Sequence, residues 1–307
     1  MRPLLIDTDT ASDDAVALMM ALREPAVSVE AVTVVAGNCP LETCVRNALI
    51  AVEAADTYAP PVHAGAAKPM LRPLVTTEFV HGADGLGDMN LPDPQLRPAP
   101  EHAVDVLIGK AHAFEGLLEV VTLGPLTNVA IALLRAPELA RLIRHMYVMG
   151  GAGLGPGNMT PVAEYNFFAD AEAAQVLMAS GVPTTVVGWD VCTGEAFLDL
   201  DDVERLRAVG PRGRFAVRCN ASLQAINARM GRQGLDLADP SAMAVALSPD
   251  LVTAALEAYA YVEHGGGASY GQFVIDRLGL LEKPPNVTIC AAIDAAAFKD
   301  RLLRLLA

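Results

Sequence analysis

Short apolar runs, each followed by a longer stretch with helical spacing, recur along most of this 307-residue chain. The runs Leu4–Ile6, Val29–Val35, one near Val62, Leu118–Leu123, Met146–Met149 and Thr184–Val187 read as buried strands. Between them, Asp13–Leu22, Leu41–Ala55, His102–Ala113, Thr127–Leu134 and Ala171–Ser180 read as helices. A strand that is apolar throughout must be covered on both faces, and a helical crossover returns the chain parallel to its start. The expected fold is therefore α/β: a mostly parallel central sheet with helices on both faces, a Rossmann-like open sheet. The segment from Asp201 to about Arg232 reads as helical apart from Gly210-Pro211. Later strands are expected near Tyr259–Val262, Gln272–Ile275 and Val287–Cys290, and a closing helix at Asp294–Leu306. No internal repeat or linker interrupts the pattern, so residues 1–307 are read as one domain. Two stretches break the alternation: Gly65–Pro100, rich in proline, and the glycine-rich 150–157. Long irregular loops in such folds are functional or disordered. Ligands of open parallel sheets sit beyond the C-terminal strand ends.

Composition narrows the function classes. Acidic residues number 36 and basic ones 22, a formal charge of −14, the wrong sign for a nucleic-acid partner. With 52% apolar and 19% charged residues, disorder is excluded. Five scattered cysteines without a Cys-x-x-Cys pair disfavour a disulfide framework and a thiolate zinc site. The opening apolar run is too short for a signal peptide, and no uninterrupted stretch of about 18 apolar residues suggests a membrane span. A cytoplasmic location is the expectation.

The chemistry concentrates just after the first strand, where Asp7-Thr8-Asp9-Thr10-Ala11-Ser12-Asp13-Asp14 carries four carboxylates. Alternation along a strand points Asp7 and Asp9 the same way. Asp13 and Asp14 open the next helix, where its dipole favours negative charge. Capping by Ser12 or Asp13 accounts for one polar group, not for four carboxylates that repel unless a cation or protons neutralise them. With no histidine or cysteine in the cluster, an all-oxygen site suits calcium or magnesium rather than zinc. Calcium takes about six to eight oxygens, so further donors must come from other loops or from a substrate with adjacent hydroxyls.

The motifs in this order resemble the inosine-uridine-preferring nucleoside hydrolases. That family's opening Asp-x-Asp-Pro-Gly-x-Asp-Asp stands here as Asp7 to Asp14, with Thr10-Ala11 replacing Pro-Gly. Gly37-Asn38, His81-Gly82-Ala83-Asp84-Gly85-Leu86-Gly87, Gly124-Pro125-Leu126-Thr127-Asn128, Met149-Gly150-Gly151, Gly157-Asn158, Ala163-Glu164-Tyr165-Asn166 and Asp239-Pro240 follow in family order. The resemblance implies cleavage of the N-glycosidic bond of ribonucleosides to ribose and free base. It implies a calcium ion held by Asp9, Asp14, the carbonyl oxygen of Leu123 and Asp239, completed by the ribose 2′- and 3′-hydroxyls and a water. Asp9 would be the general base, and Asp13, Asn38, Met149, Asn158, Glu164 and Asn166 would grip the ribose. Asp7 would organise the cluster from behind, and relatives form homodimers or homotetramers. Taken alone, each asparagine also reads as an ordinary turn residue, and Asn128 as a brace for a helix start.

One position departs from the family pattern. Many members carry His-Asp-Pro where this chain has Ala238-Asp239-Pro240, and that histidine is linked to protonating the leaving base. Alanine donates no proton, so His81, in the long loop, becomes the candidate acid, with solvent exposure as its bland alternative. Tyr165, Phe167 or Phe168 are candidates to stack on the base, Gln224 and Asn227 to read its edge, and Trp189 reads as core. Two other classes fit the sequence less well. A haloacid-dehalogenase-type phosphatase also opens with Asp-x-Asp, but Ala11 stands where that motif wants Thr or Val, and Lys110 lacks suitable surroundings. A non-catalytic nucleoside binder would have no need of the intact Asp9, Asp14 and Asp239 set.

Overall fold

The computed structural model describes residues 1–307. Its strands are β1 (Arg2–Thr8), β2 (Val27–Val34), β3 (Val62–Ala64), β4 (Leu118–Thr122), β5 (Ile143–Met149), β6 (Thr184–Val187), β7 (Leu198–Asp199), β8 (Gly234–Leu235), β9 (Val252–Val262), β10 (Phe273–Asp276) and β11 (Val287–Ile293). Nine of them form one sheet in the order β10-β9-β11-β6-β5-β4-β1-β2-β3, and β7 pairs with β8 apart from it. Within the large sheet all pairings from β3 across to β11 are parallel and those of β9, with β11 and with β10, are antiparallel, as is the separate β7–β8 pair.

Both faces are covered, as the apolar runs require. Along β1, Leu4 and Ile6 enter one buried layer, with the helices Ser12–Arg23, Leu41–Ala55, Ala238–Leu247 and Ala295–Leu306. Leu5 enters the opposite layer, with Ala103–Phe114, Thr127–Arg135 and Ala171–Ser180. The chain winds outward from β1 in both directions, to β2 on one side and β4 on the other, making the end of β1 a topological switch point. There the Leu123 amide donates to the Asp7 carbonyl at 2.8 Å, bringing the loop after β4 against the acidic segment.

Three elements differ from the sequence expectation. The helix Ala238–Leu247 is buried at every position, so it shows no polar face and no helical periodicity. Strand β9 begins at Val252 rather than Tyr259: its first half is alanine-rich and exposed, a weak strand pattern that pairing with β11 decides. The 201–232 region has a second break, at Asn220, whose side-chain amide donates to the Ala216 carbonyl at 2.9 Å between the helices Pro211–Cys219 and Ala221–Arg229.

The 65–100 stretch contains one short helix, Glu78–His81, and is tied down. The Thr77 amide donates to the Asn38 carbonyl at 2.9 Å, and the Tyr165 hydroxyl to the Val75 carbonyl at 2.8 Å. The Asp84 carboxylate accepts from the amides of Leu86, Asp88 and Asn90. All five cysteines are free and buried. No helix is long and apolar enough to cross a membrane.

Candidate active site

Asp9 lies at the switch point, wholly buried, in a slot between the loops after β2 and β4. Its Oδ2 accepts from the Asn38 amide at 2.6 Å, whereas its Oδ1 has no partner. Two glycines make the slot. A Cβ on Gly37 would fall 2.1 Å from Oδ2, and one on Gly124 would fall 2.6 Å from Oδ1. Gly37→Ala is therefore expected to displace the Asp9 carboxylate and, with Asp9 as the general base that the motif implies, to lower kcat by about 100-fold, the cost of a misplacement of about an ångström. Circular dichroism should meanwhile keep the parent's helix content. A Gly37→Ala enzyme of parental kcat would refute the cradle.

Around Asp9 the other carboxylates converge. Oxygens of Asp13, Asp14 and Asp239, all buried, lie within 4.8 Å of one another. Asp14 accepts from the Thr8 hydroxyl at 2.5 Å and from the Ala11 amide at 2.9 Å, so the residue that reaches back to cap its own helix is Asp14, not Ser12 or Asp13. No arginine or lysine pairs with any of these four; the one basic neighbour is His81, 3.9 Å from Asp13. Burial, reinforced by mutual repulsion, raises Asp14 to about 6 and pushes Asp9 and Asp239 well above the ordinary carboxylate range. An uncompensated, buried, all-oxygen donor set with an orphaned oxygen at Asp9 fits a hard divalent cation.

The remaining expected residues gather around a cavity of about 500 Å³, whose wall includes Asp13, Asn38, His81, Leu123, Met149, Asn158, Glu164, Asn166 and Asp239; Asp9 and Asp14 lie behind it. The Asn166 side-chain amide donates to the Leu123 carbonyl at 2.7 Å and the Met149 carbonyl at 3.2 Å, leaving its own buried Oδ1 unpartnered. Glu164 caps the helix Tyr165–Ala169, accepting from the amides of Asn166, Gly151 and Phe167, and burial pushes it up to about 7. Asn158 accepts from the Tyr165 amide at 2.9 Å. The Asn38 side-chain oxygen takes the Thr77 hydroxyl. His81 is buried rather than solvent-facing, its Nδ1 2.7 Å from the Ser12 hydroxyl, and burial lowers its pKa, so the ring is neutral near pH 7.

Several minor expectations change. Asn128 does more than brace a helix: it donates to Asp7 at 2.9 Å and to the Val34 carbonyl, and accepts from the Ala66 amide, joining the ends of β1 and β2 to the loop after β3. Asp7, also held by the Thr33 hydroxyl, backs the cluster and is raised by burial to about 7. Trp189 is half-buried, packs against the core as expected and also lines the cavity, as does the buried Tyr165. Phe167 is buried under Gly150 and Gly151, and Phe168 packs edge-on against Tyr270. The glycines of the 150–157 loop thus serve close packing. Asn227 lines the cavity and Gln224 does not. Arg232 and Asp236 were missed in the sequence, although their spacing of four is a charge-pair signal.

The comparisons agree with this geometry. The family model described as inosine-uridine preferring nucleoside hydrolase matches residues 4–300. The chain belongs to that family. As a nucleoside hydrolase it is a hydrolase of N-ribosyl bonds. It is 37% identical over 99% of its length to the pyrimidine-specific ribonucleoside hydrolase RihA of Shewanella woodyi, covering 98% of that protein. Among solved structures, this nucleoside hydrolase is similar to the plant enzyme PpNRh1, with a TM-score of 0.94, 30% identity and coverage of 100% and 99% of the two chains. The purine-preferring ribonucleoside hydrolase from Gardnerella vaginalis follows at a TM-score of 0.92 and 29% identity, with 99% and 98% covered.

Proposed function

We propose that the chain hydrolyses the N-glycosidic bond of ribonucleosides with the help of a calcium ion, releasing ribose and free base. The observation that carries this reading is the buried convergence of Asp13, Asp14 and Asp239 beside the half-unpartnered Asp9, with no arginine or lysine to balance them and only the neutral His81 beside Asp13. Asp9, Asp14, Asp239 and the Leu123 carbonyl would hold the ion. When bound, it supplies Lewis-acid polarisation and a fixed anchor for a vicinal diol. Asp9 Oδ1, buried and without a protein partner, takes the proton of the attacking water. Asp13, Asn38, Met149, Asn158, Glu164 and Asn166 orient the ribose. As the bond to the base lengthens, positive charge grows on the sugar ring. The unpartnered Oδ1 of Asn166 and the carboxylates are held by the fold before substrate arrives, so little reorganisation is needed. His81 remains the histidine nearest the reaction, in its neutral form. Two related RihA proteins are pyrimidine-specific by name and a structural neighbour purine-preferring, so both base classes belong in the test. The working unit is read as a single cytoplasmic domain that assembles as a homodimer or homotetramer.

A reducing-sugar assay over purine and pyrimidine ribonucleosides tests this. Turnover is expected with calcium, and a loss of at least about 100-fold after exhaustive chelation, restored on adding calcium back. Ribose binding without turnover of any nucleoside would replace the enzyme with a binder.

A further inference from the structure

Arg232 is the one arginine or lysine on the wall of the cavity. Its guanidinium is fixed from three sides. Asp236 Oδ2 lies 3.2 Å from Nη1, the Thr193 carbonyl accepts from Nη2 at 3.0 Å, and Cζ stands 4.3 Å from the centroid of the Phe197 ring. Asp236 is itself immobilised, 2% exposed and accepting from Asn227 at 2.7 Å. A guanidinium has five N–H donors, and these contacts use two, while 31% of the side chain stays accessible. So a rigid cation with spare donors lines a cavity whose other charged wall groups are carboxylates. Its neighbours on the wall include Leu223, Ile226, Met230 and Ala238, none of which can carry charge.

A leaving base departs with the electron pair of the broken C1′–N bond. With alanine at 238, no imidazole stands there to protonate it, and the charge needs another counterpart. Resting on the nucleoside hydrolase reading, we infer that Arg232 is a catalytic residue that contacts the departing base and stabilises it as an anion through charge-assisted hydrogen bonds. In the balanced step the C1′–N bond breaks and a C1′–O bond forms to water. The water proton passes to Asp9, and the electron pair settles on the base nitrogen and spreads over the ring. Solvent later protonates the free base, and Asp9 returns its proton to solvent; the guanidinium gives up none. Bases that spread the charge onto an exocyclic carbonyl oxygen, such as uracil and hypoxanthine, are then favoured over adenine. Asp236 is a positioning residue that holds the fork.

The test compares the full-length calcium-loaded parent with Arg232→Met and Arg232→Lys on uridine, inosine and p-nitrophenyl riboside, whose leaving group is already stable as an anion. Arg232→Met is expected to lower kcat/KM about 100-fold on the two nucleosides and less than about 5-fold on the nitrophenyl substrate, the size seen when one donor to a developing anion is removed. Arg232→Lys should fall between, and inhibition by free ribose should not change. An equal loss on all three substrates, or none, overturns the assignment. If Arg232→Met fails to fold, the lysine variant must show the same selective loss, or the assignment is lost. A parent inactive on all three substrates would instead sink the nucleoside hydrolase reading beneath it.

Discussion

Replacing Asp9 with alanine is expected to lower ribonucleoside turnover by about 10⁴-fold or more, while the melting temperature of the chelated protein holds or rises. The two halves follow from the same surroundings. Among Asp9, Asp13, Asp14 and Asp239, Asp9 alone keeps a buried, unpartnered oxygen, as Asp7 does behind them, and its slot between Gly37 and Gly124 admits little else. Removing a positioned base costs up to four orders of magnitude, and here the base also belongs to the proposed cation site. Stability behaves oppositely. Burial and the nearby charge of Asp14 and Asp13 already penalise the ionised Asp9, so its loss relieves repulsion that one amide contact from Asn38 offsets only in part. Asp9→Asn separates shape from charge: it keeps an acceptor for the Asn38 amide and should lose as much activity. Steady-state kinetics and calorimetry on the same samples check both halves. Activity above a tenth of the parent in either variant would remove Asp9 from the mechanism.

Much of this site was legible in the sequence because it is written in local motifs. The acidic run, Gly37-Asn38 and Gly124-Pro125 sit at strand ends, where alternation already says that loops converge, and the glycines have one cause, the carboxylate of Asp9. The fold class was legible for a similar reason, since β1, β2, β4 and β6 are short apolar runs that must be covered on both faces. What stayed hidden depends on long-range packing. The helix Ala238–Leu247, which carries Asp239, is buried all round and has no periodic face. Trp189 reads as a core residue and does pack against the core, but its place just after β6 also sets it on the cavity wall. Glu164 reads as a substrate ligand from its motif alone, yet its carboxylate also satisfies three backbone amides. Arg232 and Asp236 acquire meaning only when Phe197 and Thr193, distant in sequence, close around them.

The chelated protein is expected to lose stability as pH rises from about 4 to about 8, and calcium to flatten that slope. In the folded state Asp7 and Glu164 titrate at about 7 and Asp14 at about 6, each raised mainly by burial. In the unfolded chain all three titrate near 4. Between those limits the folded state holds more protons than the unfolded one, so by linkage stability falls as pH rises. Below about pH 4 both states are protonated and the full benefit is present; above about pH 7 both are ionised and it has been lost. Glu164 alone, moved from 4.5 to about 7, accounts for roughly 3 kcal/mol across that window. A fall in Tm of about 5 °C from this one group is then expected for a chain of this size. A divalent cation between Asp9, Asp14 and Asp239 would hold those carboxylates ionised in the folded state, so the calcium-minus-chelator difference in Tm should widen with pH. Glu164 and Asp7 supply the internal control. Glu164→Gln should remove part of the slope with and without calcium alike, because that carboxylate is occupied by backbone amides rather than by the cluster. Calorimetry at about pH 5, 6, 7 and 8, with calcium and with chelator, reads all of this. Parallel curves under the two conditions would mean that the buried carboxylates hold no ion and are balanced by protons alone.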